Sequence, residues 1–227
     1  MPNQIILSLE GSIGAGKTTL LSYLEKFDNI CVIPEPIEDW TLLNDINPLK
    51  EYYKDKNKYG FAFQMLVLTS QIAMMKKAHE SKSDLVILER CAVSNYNTFY
   101  ENMRQFFYPV QQAIYEHIYK QLATEKKPDG YIYLQVDTRT ASNRIKVRSR
   151  SGEDTVTHEY LETLNLTLEN FLDRNKERTL VIDGNREKST IEDYRETVED
   201  IVYFSEYLRD NKGRRPKSRH MNLFERQ

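Results

Sequence analysis

An apolar run, IILSL at 5–9, leads straight into GSIGAGKT and then into the helix-compatible TLLSYLEKF. No other feature restricts the possible folds as much. Gly11, Gly14 and Gly16, with Ser12, Ile13 and Ala15 between them, match G-x-x-x-x-G-K-[ST]. Such a loop turns its backbone N–H groups inward around phosphate oxygens, and the helix after it adds its positive end. Lys17 would reach the β- and γ-phosphates, Thr18 would offer a hydroxyl to Mg²⁺, and Thr19 continues the first helical turn. A glycine-rich approach to a helix would account for the glycines but not for Lys and Thr at these two places. The motif needs a strand to end where a helix begins, as in an α/β sandwich.

Four more short apolar runs fit that expectation: ICVI at 30–33, LVIL at 85–88, YIYLQV at 131–136 and TLVI at 179–182. They are continuous rather than alternating, the pattern of strands covered on both faces, so a five-stranded parallel sheet with helices on both sides is predicted. Between them Leu161, Leu164, Leu168, Phe171 and Leu172 form one apolar helical stripe; Ile191, Tyr194, Val198, Ile201 and Leu208 form another. The segment 61–75 is apolar nearly all round except for Gln64, Thr69, Ser70 and Gln71, as expected for a central helix with a few placed polar groups. With 227 residues, 40% of them hydrophobic, the chain suits one domain over 1–208. A basic tail is expected over 209–227, where seven Lys or Arg face only Asp210 and Glu225.

A net charge of −2 gives no global basic field, which argues against a duplex-binding protein. Cys31 and Cys91 lie in apolar surroundings without metal-ligand spacing and read as reduced, buried thiols. No run is long enough to span a membrane and no secretion signal stands at the start, so a cytoplasmic protein is expected.

Three further segments carry chemistry. In CVIPEPIEDW the strand ends on Glu35, stiffened between Pro34 and Pro36, which suggests a carboxylate held in position rather than a solvated turn. DLVILER places Glu89 and Arg90 side by side at the carboxyl edge of the third strand, where a metal-side acid is expected. In NRIKVRSRSGED, Arg144 and Arg148 share a helix face and Arg150 follows in a loop, a cation cluster suited to a flap closing over polyphosphate.

The motifs GSIGAGKTT, EPIEDW, FAFQ, ERCAVSNYNTFYENM and RIKVRSRSGED, in this order and spacing, resemble the deoxynucleoside kinases of the thymidine kinase 2, deoxycytidine kinase and insect deoxynucleoside kinase group. The resemblance implies a P-loop kinase with an arginine-rich lid that moves the γ-phosphoryl group of ATP, with Mg²⁺, to the 5′-hydroxyl of a deoxynucleoside. It implies that Glu35 is the general base, that Arg90 orients it, that Thr18 and Glu89 stand on the metal side, and that Arg144, Arg148 and Arg150 form the lid. It further implies that Gln64 reads the base edge, that Trp40, Phe63 and Phe99 wall the ring, and that Tyr53 and Glu153 hold the sugar 3′-hydroxyl. The family's cytidine and purine kinases have an Arg and an Asp facing the base; Gln71 and Asn95 match those positions here, which favours pyrimidines such as thymidine, with deoxycytidine also admitted. Cys91 stands where Ser is usual, and Gly152 replaces an acid, leaving Glu153 and Asp154 as alternatives at the sugar. A homodimer is implied as well. Two other readings remain at this level: a thymidylate-type monophosphate kinase, which needs extra cations at its acceptor site, and a nucleotide-dependent switch, which has no use for Gln64, Tyr53 or Glu35.

Overall fold

In a computed structural model of the protein, the described residues are 4–124, 126–150, 153, 156–186 and 190–211. The five apolar runs become β1 (Ile5–Glu10), β2 (Ile30–Ile33), β3 (Leu85–Glu89), β4 (Gly130–Gln135) and β5 (Thr179–Asp183), all parallel in the order β2-β3-β1-β4-β5. Their continuous apolar character has the expected cause. Ile5, Leu7 and Leu9 point to one face with Leu85, Ile87, Ile132, Leu134, Leu180 and Ile182, covered by α1 (Lys17–Leu24) and α10 (Ile191–Asp210). Ile6, Val86, Leu88, Tyr131 and Tyr133 point to the other, beneath α4 (Lys56–Glu80) and α9 (His158–Asp173). A strand buried on both sides has no position for an exposed polar side chain.

β1 lies between β3 and β4, where the strand order reverses, and ligands of open α/β sheets bind beyond the strand ends at such a switch point. A third apolar cluster stands beyond that edge. It is built by α2 (Ile37–Thr41), α3 (Pro48–Lys54), α4, α5 (Ala92–Asn95), α6 (Glu101–Met103) and α7 (Pro109–Leu122). Between α5 and α6 the chain forms a π-helical segment, Tyr96–Tyr100, a wide turn frequent at functional sites. A further helix, α8 (Thr138–Arg148), carries the first two arginines expected in the lid and ends at Ser149 in a left-handed conformation, φ 51°.

Three boundaries differ from expectation. The central helix is longer than 61–75, because the Asp55 side chain accepts a hydrogen bond from the Lys58 N–H and caps an earlier start. β1 continues through Glu10, a fully buried acid. The proposed tail begins inside α10, which holds Arg209 and Asp210; the rest, 212–227, lies outside the described residues, as do Gly152 and Asp154. Cys91 is buried as expected and Cys31 only half-buried; both are free thiols.

Candidate active site

The loop after β1 wraps as the motif requires. Gly14 has φ 80°, and a Cβ there would sit 2.5 Å from the Ala141 carbonyl oxygen and 2.9 Å from Ile145 Cγ1, so only glycine fits under α8. Gly16, φ 96°, is the left-handed residue from which α1 starts. The Lys17 ammonium folds back over the loop, donating to the carbonyls of Ser12 (3.1 Å) and Gly11 (3.4 Å). Burial first, then the charge of Arg90, push it down to about 8. The Thr18 hydroxyl donates to Glu89 Oε1 at 3.0 Å, bringing together the two residues expected on the metal side.

Arg90 organises the acceptor side. It sits just past the end of β3 in a left-handed conformation, φ 62°, a strained state for a non-glycine residue that its contacts must hold. Its N–H donates to the Leu9 carbonyl at 3.1 Å. Its guanidinium donates to the Gly11 carbonyl at 2.8 Å and lies over the Phe99 ring, 4.7 Å from the centroid. Nε stands 3.5 Å from Glu35 Oε1, and another nitrogen 3.8 Å from Glu10 Oε2. Glu35 therefore stands at the cradle's mouth, its side chain 11% exposed. Burial pushes its carboxyl up to about 7, Arg90 opposes this, and Glu89 adds to it. A carboxyl near 7, beside a fixed cation, suits a general base at neutral pH.

Phosphate loop, Glu35 and aromatic pocket share one cavity of about 1000 Å³. Trp40, Phe63 and Phe99 line it, with Tyr52 stacked on Phe63 at 4.7 Å and Trp40 set edge-on to Phe63 at 6.1 Å. Trp40 Nε1 donates to the Ser70 hydroxyl at 3.2 Å, so the indole is both core and wall. The π-helical turn lets Asn95 and Phe99 face the same cavity. Asn95 Nδ2 donates to Gln64 Oε1 at 3.2 Å and to the Tyr115 hydroxyl at 3.1 Å, which fixes the Gln64 amide expected to read the base. Gln71 is different. It is buried but does not line the cavity, and neither amide atom has a hydrogen-bond partner among the described residues, so Gln71 and Asn95 do not form a neutral replacement for an ion pair.

The arginines expected in the lid also line the cavity, with two assignments the sequence did not separate. Arg144 donates to the carbonyls of Ala15 (3.1 Å) and Gly184 (2.9 Å), tying the phosphate loop to the turn after β5. Arg148 and Arg150 both grip Glu153, at 2.6 and 3.3 Å. Glu153 is buried and close enough to Tyr53 that its charge, after burial and Tyr160, pushes that phenol up. Tyr53 and Glu153 line the same cavity, and the Glu153 carboxylate occupies both Arg148 and Arg150.

The sequence reading missed Glu10, Tyr160 and the turn Asp183, Gly184, Asn185 and Arg186, which line or back the site. Of these only the turn had a signal, the DGN directly after an apolar strand.

A strand-loop-helix phosphate cradle at a sheet switch point, opening onto an aromatic acceptor pocket, defines a P-loop phosphotransferase. The deoxynucleoside kinase family model matches residues 7–204, and the chain belongs to that family. It is accordingly a nucleoside kinase. Protein 029R of Invertebrate iridescent virus 3, whose name assigns it provisionally to the kinases, is 33% identical over 183 residues, covering 80% of this chain and 89% of its own. Deoxycytidine kinase 2 of Gallus gallus is 28% identical over 204 residues, 78% and 76% of the two chains. Mitochondrial thymidine kinase 2 of Homo sapiens is 28% identical over 174 residues, 74% of this chain and 64% of that one.

Proposed function

We propose that the enzyme transfers the γ-phosphoryl group of ATP to the 5′-hydroxyl of a pyrimidine deoxynucleoside, thymidine or deoxycytidine, in nucleotide salvage. One observation carries this reading: Glu35 stands where the phosphate cradle and the aromatic pocket meet in a single cavity, beside Arg90. A nucleoside with its base against Gln64 and between Trp40, Phe63 and Phe99 would direct its 5′ end toward the cradle. Glu35 takes the proton from that hydroxyl as its oxygen bonds to the γ-phosphorus, and the bond from phosphorus to the bridging oxygen breaks to leave ADP. Arg90 keeps the Glu35 carboxyl aimed and faces the transferring group; Lys17 and the N–H groups of the loop hold the donor's terminal phosphates.

The Thr18 hydroxyl and Glu89 carboxylate, adjacent at 3.0 Å, are hard oxygen donors that fit Mg²⁺, which keeps most of its waters and needs few protein ligands. The ion would neutralise charge between the β- and γ-phosphates.

The human and chicken relatives are named for thymidine and deoxycytidine, in line with a pyrimidine pocket. A second copy of the chain is proposed to cover the apolar residues exposed at and before α7: Tyr108, Val110 and Ile114. No helix among the described residues is long and apolar enough to cross a membrane, and the two free thiols suit a reducing, cytoplasmic setting.

A thermal-shift panel tests the substrate reading. Stabilisation by thymidine or deoxycytidine is expected, while a response to thymidine monophosphate alone would assign the enzyme to the monophosphate kinases instead.

A further inference from the structure

One buried charge near the site has no part in the steps above. Glu10 is the last residue of β1 and has 0% exposure. The Ser8 hydroxyl donates to its Oε1 at 2.6 Å. Its Oε2 has no hydrogen-bond partner among the described residues and faces Arg90 across 3.8 Å. Strand register accounts for the placement. Leu9 pairs with Glu89, so Glu10 and Arg90 stand one step beyond the last pair of two parallel strands, on the face that holds Leu88. An ionised carboxylate buried away from water is costly unless a cation answers it, and a strand end that needed only a polar side chain would be served by a neutral one. A second carboxylate, Glu35, faces Arg90 from the cavity at 3.5 Å.

We propose that Glu10 is a positioning residue for phosphoryl transfer: ionised, it anchors Arg90 from behind, so that the arginine divides its charge between two carboxylates and leaves Glu35 basic enough to take a proton. The proposal rests on the reading of Glu35 as the base. Burial, the largest influence, leaves the Glu10 carboxyl above its ordinary value; Arg90, Ser8, Ser94 and Lys17 oppose this without cancelling it, so the Arg90 cation 3.8 Å away is what the charged form depends on. Around Glu35 the charged groups are Arg90, Glu89, Lys17 and Glu10 itself, and of these Glu10 is the one that also stands against Arg90 from behind, at 3.8 Å. Without the rear charge the guanidinium is free to close on Glu35, making that carboxylate a weaker base and pulling the arginine off the line of the transferring group.

The isosteric Glu10→Gln variant tests this against the wild type, with the pH dependence of kcat/KM, KM for the nucleoside and thermal unfolding measured together. The expected result is a fall in kcat of roughly 10-fold, KM for the nucleoside changed by less than about 3-fold, and an acid limb displaced to lower pH. Glu10→Asp keeps the charge but withdraws it by one methylene, and its limb is expected between those of the wild type and Glu10→Gln. This variant keeps the test open if the glutamine protein fails to fold. An unmoved limb in either folded variant, or a loss of activity that follows the unfolding temperature alone, would overturn the role. Wild-type and Glu10→Gln proteins that share one profile while Glu35→Gln is inactive would overturn it and leave Glu35 as the base. A wild type that phosphorylates no nucleoside would overturn the functional reading, and this one with it.

Discussion

Replacing Glu35 by Gln is expected to change activity and stability in opposite directions. The carboxyl is moved from its ordinary 4.5 to about 7, with burial as the largest cause. The folded protein therefore binds more protons than the unfolded chain between these values, and stability falls as pH rises through that window. Above pH 7 the ionised carboxylate costs the fold about 3 kcal/mol at most, from about 1.4 kcal/mol per unit of displacement. Glutamine removes that cost at little change in volume. At pH 8 the variant should be more stable than the wild type, by about 2–4 °C for each kcal/mol recovered, and the difference should vanish at pH 4.5 and below. Turnover should fall by roughly 10²- to 10⁴-fold with nucleoside binding nearly unchanged, because the base is lost while the aromatic walls remain. Paired denaturation curves at pH 5 and pH 8, with single-turnover rates at pH 8, would measure both effects. Retained turnover would remove Glu35 from the chemistry; equal stability at pH 8 would refute the claim that the site holds a costly buried charge.

Other perturbations separate the parts of the site. For the wild type, kcat/KM should rise about tenfold per pH unit below an acid limb near 7, where the base ionises, and fall again above a basic limb near 8, where Lys17 loses its proton; a profile flat between pH 5 and 8 would contradict the assignment. Lys17→Ala should reduce phosphoryl transfer by on the order of 10³-fold yet leave stabilisation by nucleoside intact, and an active variant would contradict the cradle. Gln64→Leu keeps the volume but deprives Asn95 of its acceptor at 3.2 Å. KM for the nucleoside should rise roughly 10- to 100-fold, and an unchanged KM would place base recognition elsewhere.

The sheet and the cradle were legible because each is written in local pattern. Strands buried on both faces must be apolar throughout, and a phosphate loop must place Gly, Lys and Thr at fixed offsets. Glu35 was legible through its two prolines. Gln71 was not, because α4 is apolar nearly all round and offers no stripe to show which polar residue faces the cavity. Arg144 and Arg148 share a helix face, as their spacing requires, but spacing cannot show that one is bound to the carbonyls of Ala15 and Gly184 while the other grips Glu153. Glu10 was hidden for a different reason. An acid at the end of an apolar run reads as the first loop residue, and only the pairing of β1 with β3 places it behind Arg90.

The central claim is that the cradle and the aromatic pocket serve one transfer, onto a sugar alcohol. Following the label from γ-labelled ATP and Mg²⁺ in the presence of thymidine, deoxycytidine and thymidine monophosphate tests it most directly. Label should appear on the 5′-oxygen of one or both nucleosides, giving the monophosphate. Label carried only to thymidine monophosphate, or released only as inorganic phosphate, would contradict it.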